Sequence, residues 1–506
     1  MNDISYTEKS IQESIKLTLW AYLFMMCCGL SFYTGGSYVG LSDNKFIFYK
    51  IVSVIGICIL SVLYAILFFL KQKRNDKSFR LGHNYRETDI FLVFFVLSNI
   101  VTFIFSENKT ESLWGTSGWQ IGFLTWMIML FYFYSFSGFM QWNKYLWYAI
   151  FLPVFAVMLI AVLNRFGFFL LYGVDSTTIF LSTIGNINWY CGYLSVFLPI
   201  GAALLMTNTL KMNQFLLLTI FITVGYVSAF TQGSESALLI IASILLVIGF
   251  VGLENRKMWI TYLVQVFLCG LSSEISRHLV RFFGYAYEAD NPCIKIVNSR
   301  IGLIVCAAAF LLISGSRLCE SLNIKWKMLL YRTIYVIIVL CILAFGVFYL
   351  INNFDENWGN GRGFIWQYSI KLFQELDLKS KLIGVGQDGF ADYSYSYREY
   401  LLILDERFGA ARLTNAHSEL FTIIINNGII GAIAFIGLFV FTMKTLISSY
   451  KKDKNIFALV FLVSIITYCI NNLVSFTQIL STPYIFMFMG IGVASVSNTD
   501  FNKNQV

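Results

Sequence analysis

Charged side chains make up only 13% of this 506-residue sequence, against 58% hydrophobic residues. That balance lies far outside the soluble range and inside that of polytopic membrane proteins. Proline is almost absent. Pro153 and Pro199 fall within or near the end of apolar runs, where they can kink a helix, Pro292 marks a turn and Pro483 opens the last run. Histidine is as scarce, with His83, His278 and His417 far apart, and there is no Cys-x-x-Cys pair, so neither a zinc site nor a redox site can be argued. Cys27, Cys28, Cys58, Cys191, Cys269, Cys306, Cys341 and Cys469 lie within apolar runs and read as packing residues. No repeat of fixed period and no low-complexity linker occurs, which favours a single polytopic membrane domain over residues 1–506. The net charge of +8 is mostly accounted for by inner loops facing anionic lipid and makes no case for nucleic acid.

What the chain does have is apolar runs long enough to cross roughly 30 Å of hydrocarbon. About fourteen are found, near 15–34, 46–70, 90–106, 119–140, 145–163, 188–208, 213–231, 237–253, 258–274, 299–314, 331–351, 418–442, 456–474 and 480–496. Several are short, so the expected fold is an all-α bundle of about 12 to 14 transmembrane helices. Lysine and arginine concentrate in three connections, around Lys71 to Arg86, Arg317 to Arg332 and Lys444 to Lys454. The positive-inside rule puts these three, and with them both termini, on the cytoplasmic side. Residues 1–14 are polar and lack a small-residue cleavage site, so the first span reads as a retained anchor.

Residues 352–416 are the one long hydrophilic stretch, and this topology puts them outside, as a large extracytoplasmic loop inserted between two spans. They carry Arg362, Arg398 and Arg412, and a second outer loop, 275–298 with its flank, carries Arg277, Arg281 and Arg300. Outer arginines break the positive-inside pattern, although long loops translocate whatever their charge. In the second loop, Ile275, Leu279, Phe282 and Phe283 share one helical face, which predicts an interfacial helix. In the large loop, apolar residues from Phe364 to Leu376 recur at helical spacing, so a helix is expected to begin near Gly363 with Arg362 at its N-terminal end. The helix dipole opposes a cation there unless an anion binds between the guanidinium and the free amide hydrogens of the first turn. Gly384-Val-Gly386-Gln-Asp-Gly389 follows as a tight-turn cluster.

The loop runs into His417-Ser418-x9-Gly428-x-x-Gly431 at the head of an apolar run. With Asn415 as N-cap, His417 would stand in the first helical turn, where the positive helix end favours a neutral imidazole and Glu419 pushes the other way. Gly428 and Gly431 share a face and would let a neighbouring helix approach closely. Asn186 and Asn188 are positioned to cap the span beginning near 188. The aromatic residues are mostly a lipid-interface belt, with Trp358, Trp366 and Tyr393 to Tyr400 as possible platforms for sugar rings.

Four elements, in order over roughly residues 185–440, resemble the O-antigen ligase and O-antigen polymerase superfamily of bacterial envelope glycosyltransferases. They are Gly185-Asn186-Ile-Asn188 through Gly192-Tyr193-Leu194 to Pro199, Gly361-Arg362-Gly363-Phe-Ile-Trp366, Gly384-Val-Gly386-Gln-Asp-Gly389-Phe390, and the His417 to Gly431 motif. One element departs: where the family commonly has Ser-Arg-Gly-Ala, with an arginine taken to touch lipid-linked diphosphate, this chain reads Gly233-Ser234-Glu235-Ser236-Ala237. Either another outer arginine such as Arg281, Arg300, Arg398 or Arg412 then supplies that charge, or the donor sits differently. The resemblance implies transfer of an oligosaccharide from undecaprenyl diphosphate to an acceptor hydroxyl at the outer face of the cytoplasmic membrane. His417 would be the general base, and Arg362 the first choice for the diphosphate, with Asn188 and Trp366 as further substrate contacts. It also implies no cofactor and no metal, and a chain-length regulator and a flippase as partners.

The missing serine-arginine element favours a polymerase, with a ligase to lipid A core or to protein as the alternative. A transporter or flippase would call for internal pseudo-symmetry and ionisable residues at mid-span, and an inactive envelope scaffold would make His417 dispensable.

Overall fold

The computed structural model describes residues 2–36, 40–74, 86–169, 180–207, 210–287, 291–396, 398–409 and 412–497. Each of the fourteen apolar runs falls on a helix, since in hydrocarbon a backbone must satisfy its own N–H and C=O groups. Among the described residues, eleven helices are long and apolar enough to cross a membrane, and Phe123–Phe139, Ile456–Asn472 and Thr482–Val496 are apolar but shorter. The chain is an all-α, multi-pass membrane protein. Among the described residues, strand pairing is confined to a two-residue antiparallel ribbon, Phe180–Leu181 with Gly185–Asn186. All ten cysteines are free.

The chain divides into two compact units, one made of Met1–Val154, Ser369–Ile465 and Ser475–Val506, the other of Phe155–Tyr368 and Ile466–Val474. In the first unit, Thr482–Ser497 packs on Phe123–Phe139 and Glu87–Phe105 packs on Glu419–Asp453. Small residues permit both contacts. A side chain on Gly490 would meet Phe133 O at 2.7 Å, and Gly437 makes room for the Phe91 ring. Phe95, Trp126, Phe435 and Phe486 fill the space between these helices, with ring centroids 5.3 to 6.0 Å apart.

In the second unit, Ile187–Leu205 is the most enclosed span, and Arg256–Phe282 packs along Ile301–Ser321. Gly270 and Gly302 meet at that crossing, each with its missing Cβ directed at the other's carbonyl oxygen. The expected interfacial helix at 275–298 is corrected here: Ile275 to Phe282 are the last turns of the Arg256–Phe282 helix. Arg277 is buried there, its Nε donating to Glu274 Oε2 at 2.8 Å, and Glu274 Oε1 accepts Leu303 N–H at 3.2 Å. Pairing within the hairpin is what lets charged residues continue a packed helix. Only Pro292–Asn298 forms a separate short helix, capped by Asn291.

Candidate active site

In the first unit the site is built on a broken helix. Glu419–Asp453 is interrupted at Gly428 (φ 70°, ψ 178°), a conformation open essentially to glycine alone. The break frees carbonyls one turn earlier, and the glycine-rich turn takes them: Val385 N–H donates to Ile425 O and Gly386 N–H to Asn426 O, both at 3.1 Å. Gly384 (φ 84°), Gly386 (φ 129°) and Asp388 (φ 57°) all have left-handed backbones, which wrap the turn onto the helix. Thr102 Oγ1 donates to Ile383 O at 2.6 Å, and Asn99 Oδ1 accepts Asn427 Nδ2 at 3.0 Å. Gly428 therefore receives the Leu382–Gly384 backbone, at the end of the short Leu378–Ile383 helix. Gly431 lies against Asn427 and Ser98.

His417 stands before the helix, not in its first turn. Ser418 is the N-cap residue, while Asn415 Oδ1 accepts the His417 N–H at 2.9 Å and closes a tight turn instead. His417 is left-handed (φ 47°) and half-buried, its ring edge-on to Phe476 at 5.3 Å. Phe476 in turn meets Trp119 edge-on at 4.7 Å. Beside them lies a small, partly enclosed cavity lined by Trp119, Ile121, Trp126, Asp388, Asn415, Glu419, Thr422, Ile423, Asn426, Asn427, Phe476 and Thr477. Glu419 is buried and accepts the Thr477 N–H. Asp388 is also buried, and that burial pushes its carboxyl up to about 6, although the N–H groups of Thr116 and Ile121 oppose the shift.

In the second unit, Gly359, Asn360 and Gly361 all have positive φ and break the Trp358–Glu375 helix, so regular helix begins at Arg362, one residue from the position expected. Gly363 is required by the close approach of Asp355 O. Arg362 Nε donates to Val474 O at 3.0 Å and Nη1 to Gly359 O at 2.8 Å. These carbonyls offset the dipole's opposition to a cation at the helix start. They also fix the guanidinium plane and leave one Nη1 hydrogen and both Nη2 hydrogens for other acceptors. Burial pushes the Arg362 pKa down, and the nearby Glu235 carboxylate pulls it back. Trp366 stacks in an aromatic cluster with Trp358 at 5.2 Å and Phe354 at 6.3 Å.

Residues 293–436 match the family model described as O-antigen ligase. That segment, under a third of the chain, is similar to the O-antigen ligase family. The match supports a glycosyltransferase-like activity of the ligase or polymerase type. No curated protein matches the chain.

Arg300, Arg362, Trp366, Arg398, Arg412, His417, Gly428 and Gly431 fall within the O-antigen ligase segment, and Asn188 and Arg281 outside it. His417, Gly428, Gly431 and Arg412 belong to the first unit, and Arg362, Trp366, Asn188, Arg281 and Arg300 to the second. Arg412 is exposed and lies over the Tyr395 ring at 4.3 Å. Arg281 and Arg300 are exposed, the latter at the start of Ile301–Ser321. The side chain of Arg398 lies outside the described residues. Asn186 caps Ile187–Leu205 by accepting the Asn188 N–H at 2.8 Å.

Sequence reasoning passed over Arg165. It is buried beside the departing Gly233-Ser234-Glu235 element, with Nη2 on Gln232 Oε1 at 3.1 Å and Nη1 on Tyr285 Oη at 2.7 Å. Its only signal was an arginine at the end of an apolar run. Asn426 and Phe476 were passed over too, the first readable only as an Asn-Asn pair in an apolar helix.

Proposed function

We propose that this membrane protein is a polysaccharide repeat-unit polymerase of the bacterial cytoplasmic membrane. It moves an oligosaccharide from undecaprenyl diphosphate to a hydroxyl of a second lipid-linked repeat at the outer face, with both termini cytoplasmic. The carrying observation is His417, left-handed and tied to Asn415 just before the broken helix, with its ring against Phe476, a wall of the small cavity.

His417 removes the proton of the acceptor hydroxyl as that oxygen attacks the anomeric carbon. The bond from that carbon to the diphosphate oxygen breaks, and the lipid diphosphate leaves with the electron pair. Arg362 meets the developing charge with its remaining guanidinium hydrogens, a contribution of about 3 kcal/mol for a well-placed donor. Arg281, Arg300, Arg398 and Arg412 are candidates for the remaining diphosphate charge, and Asn188 and Trp366 for sugar contacts. No metal is invoked, and activity is expected to survive EDTA. A flippase supplying the donor and a chain-length regulator are the expected partners.

Ser234-Glu235-Ser236-Ala237, in place of the family's Ser-Arg-Gly-Ala, favours the polymerase, because the missing arginine weakens the ligase reading more than the general transfer reading. The description of the matched family favours a ligase. Purified protein supplied with undecaprenyl-diphosphate-linked repeats should make lipid-linked oligomers. Glycan appearing only on added lipid A core would select the ligase, and no product with either acceptor would overturn the enzyme.

A further inference from the structure

The cavity beside His417 has a chemical bias. Its lining includes two buried carboxylates, Asp388 and Glu419, and no lysine, arginine or histidine. Asn426, also buried, lines it with an Oδ1 that has no hydrogen-bond partner among the described residues. A buried amide oxygen left unpaired is costly, so a ligand donor that reaches it is favoured. An anion is excluded, because two carboxylates would face it without a counter-charge. The cavity volume is about 20 Å³, room for a water-sized group and not for a whole sugar ring. Trp119 and Phe476 form an aromatic wall on one side, the kind of apolar face that a sugar's C–H surface covers.

We propose that this cavity is the acceptor subsite, in which a hydroxyl-bearing edge of a neutral sugar donates to Asn426 Oδ1 and Glu419 while its ring lies against Trp119 and Phe476. The inference rests on the transfer reading above and adds to it which substrate binds here: the cavity takes the neutral acceptor and rejects the diphosphate. Asn426 and Glu419 are positioning residues, since they hold the acceptor and leave proton removal to His417.

The test uses the repeat-unit oligosaccharide on an octyl aglycone, which has acceptor hydroxyls but no diphosphate and so cannot act as donor. With full-length protein in nanodiscs and lipid-linked donor, Asn426→Leu and Glu419→Gln should each raise the KM for the octyl glycoside about tenfold, the loss of one hydrogen bond. The KM for the donor should not move. A purely structural role would lower the amount of folded enzyme and leave both KM values unchanged, and transfer with that pattern overturns the subsite. A second measurement needs no transfer: in His417→Asn protein the octyl glycoside should protect residues 415–427 from hydrogen exchange. Protection without any transfer by the wild type keeps the subsite and sinks the polymerase, whereas neither protection nor transfer sinks both. Thermal stabilisation by sodium chloride over potassium chloride that Glu419→Gln abolishes, with no glycoside effect, would make the cavity a cation site and overturn the proposal.

Discussion

Gly428 and Gly384 meet backbone to backbone: a Cβ on Gly428 would lie 2.5 Å from Gly384 N, and one on Gly384 would lie 2.2 Å from Asn426 O. Neither obstacle is a side chain that can swing away. Gly428→Ala adds this collision to a backbone that an L-residue adopts only at a cost of about 1 to 3 kcal/mol. The mutant is expected to show a markedly lower membrane abundance and an apparent Tm several degrees lower in detergent. Gly431→Ala should be milder, because its nearest obstacle is the Asn427 side chain. Equal losses for the two would contradict the assigned roles.

The left-handed backbone of His417 affects how its chemistry can be tested. Alanine at φ 47° would add strain to the loss of the imidazole, whereas asparagine tolerates that region. His417→Asn should therefore insert at wild-type abundance and lose about 10²-fold to 10⁴-fold in transfer rate, the usual contribution of a general base. Glycan chain-length profiles beside immunoblots of the membrane fraction check both halves. A full-length glycan ladder from this mutant would remove His417 from the mechanism.

The spans were legible because hydrocarbon leaves a backbone no alternative to helix, so length and apolarity alone located all fourteen runs. The start of helix at Arg362 was legible from the glycines around it. The cap before Glu419–Asp453 was not, since Asn415 and Ser418 are both good N-caps and only tertiary placement chose the serine. At Gly428 the close approach was legible and the break in its own helix was not. A glycine in an apolar run looks the same whether it admits a neighbouring helix or breaks its own. The cavity was hidden because its walls come from distant stretches, Trp119, Asp388, Glu419 and Phe476, with no local periodicity to link them.

Buried Asp388 gives the fold a pH dependence whose sign follows from linkage. Its carboxyl titrates at about 6 in the fold against an ordinary 3.8, so between those values the folded state binds more protons and stability falls as pH rises. The full loss, about 3 kcal/mol, is in place above about pH 7. Glu111, pushed up to about 7 first by its hydrogen bond with Asp392, is half-buried and adds a slope of the same sign. Apparent Tm should thus decline from about pH 4 to about pH 7, and Asp388→Asn should flatten most of the decline below about pH 6. A wild-type Tm that rises over this range would show that Asp388 is charged without penalty.

Arg362 separates a charge from a shape. Its guanidinium already gives Nε to Val474 O and Nη1 to Gly359 O, so the plane is fixed before any substrate arrives and its remaining N–H groups need no further ordering. An ammonium in Arg362→Lys has three donors around one atom, and it cannot hold both carbonyls and still present two parallel N–H groups to a diphosphate. Arg362→Lys is therefore expected to lose transfer activity nearly as fully as Arg362→Ala, on the order of 10²-fold. The measurement is the initial rate with saturating lipid-linked donor, normalised to folded protein. If the lysine variant kept most of the wild-type rate while the alanine variant lost it, positive charge alone would suffice and the fixed planar edge would have no part in the reaction.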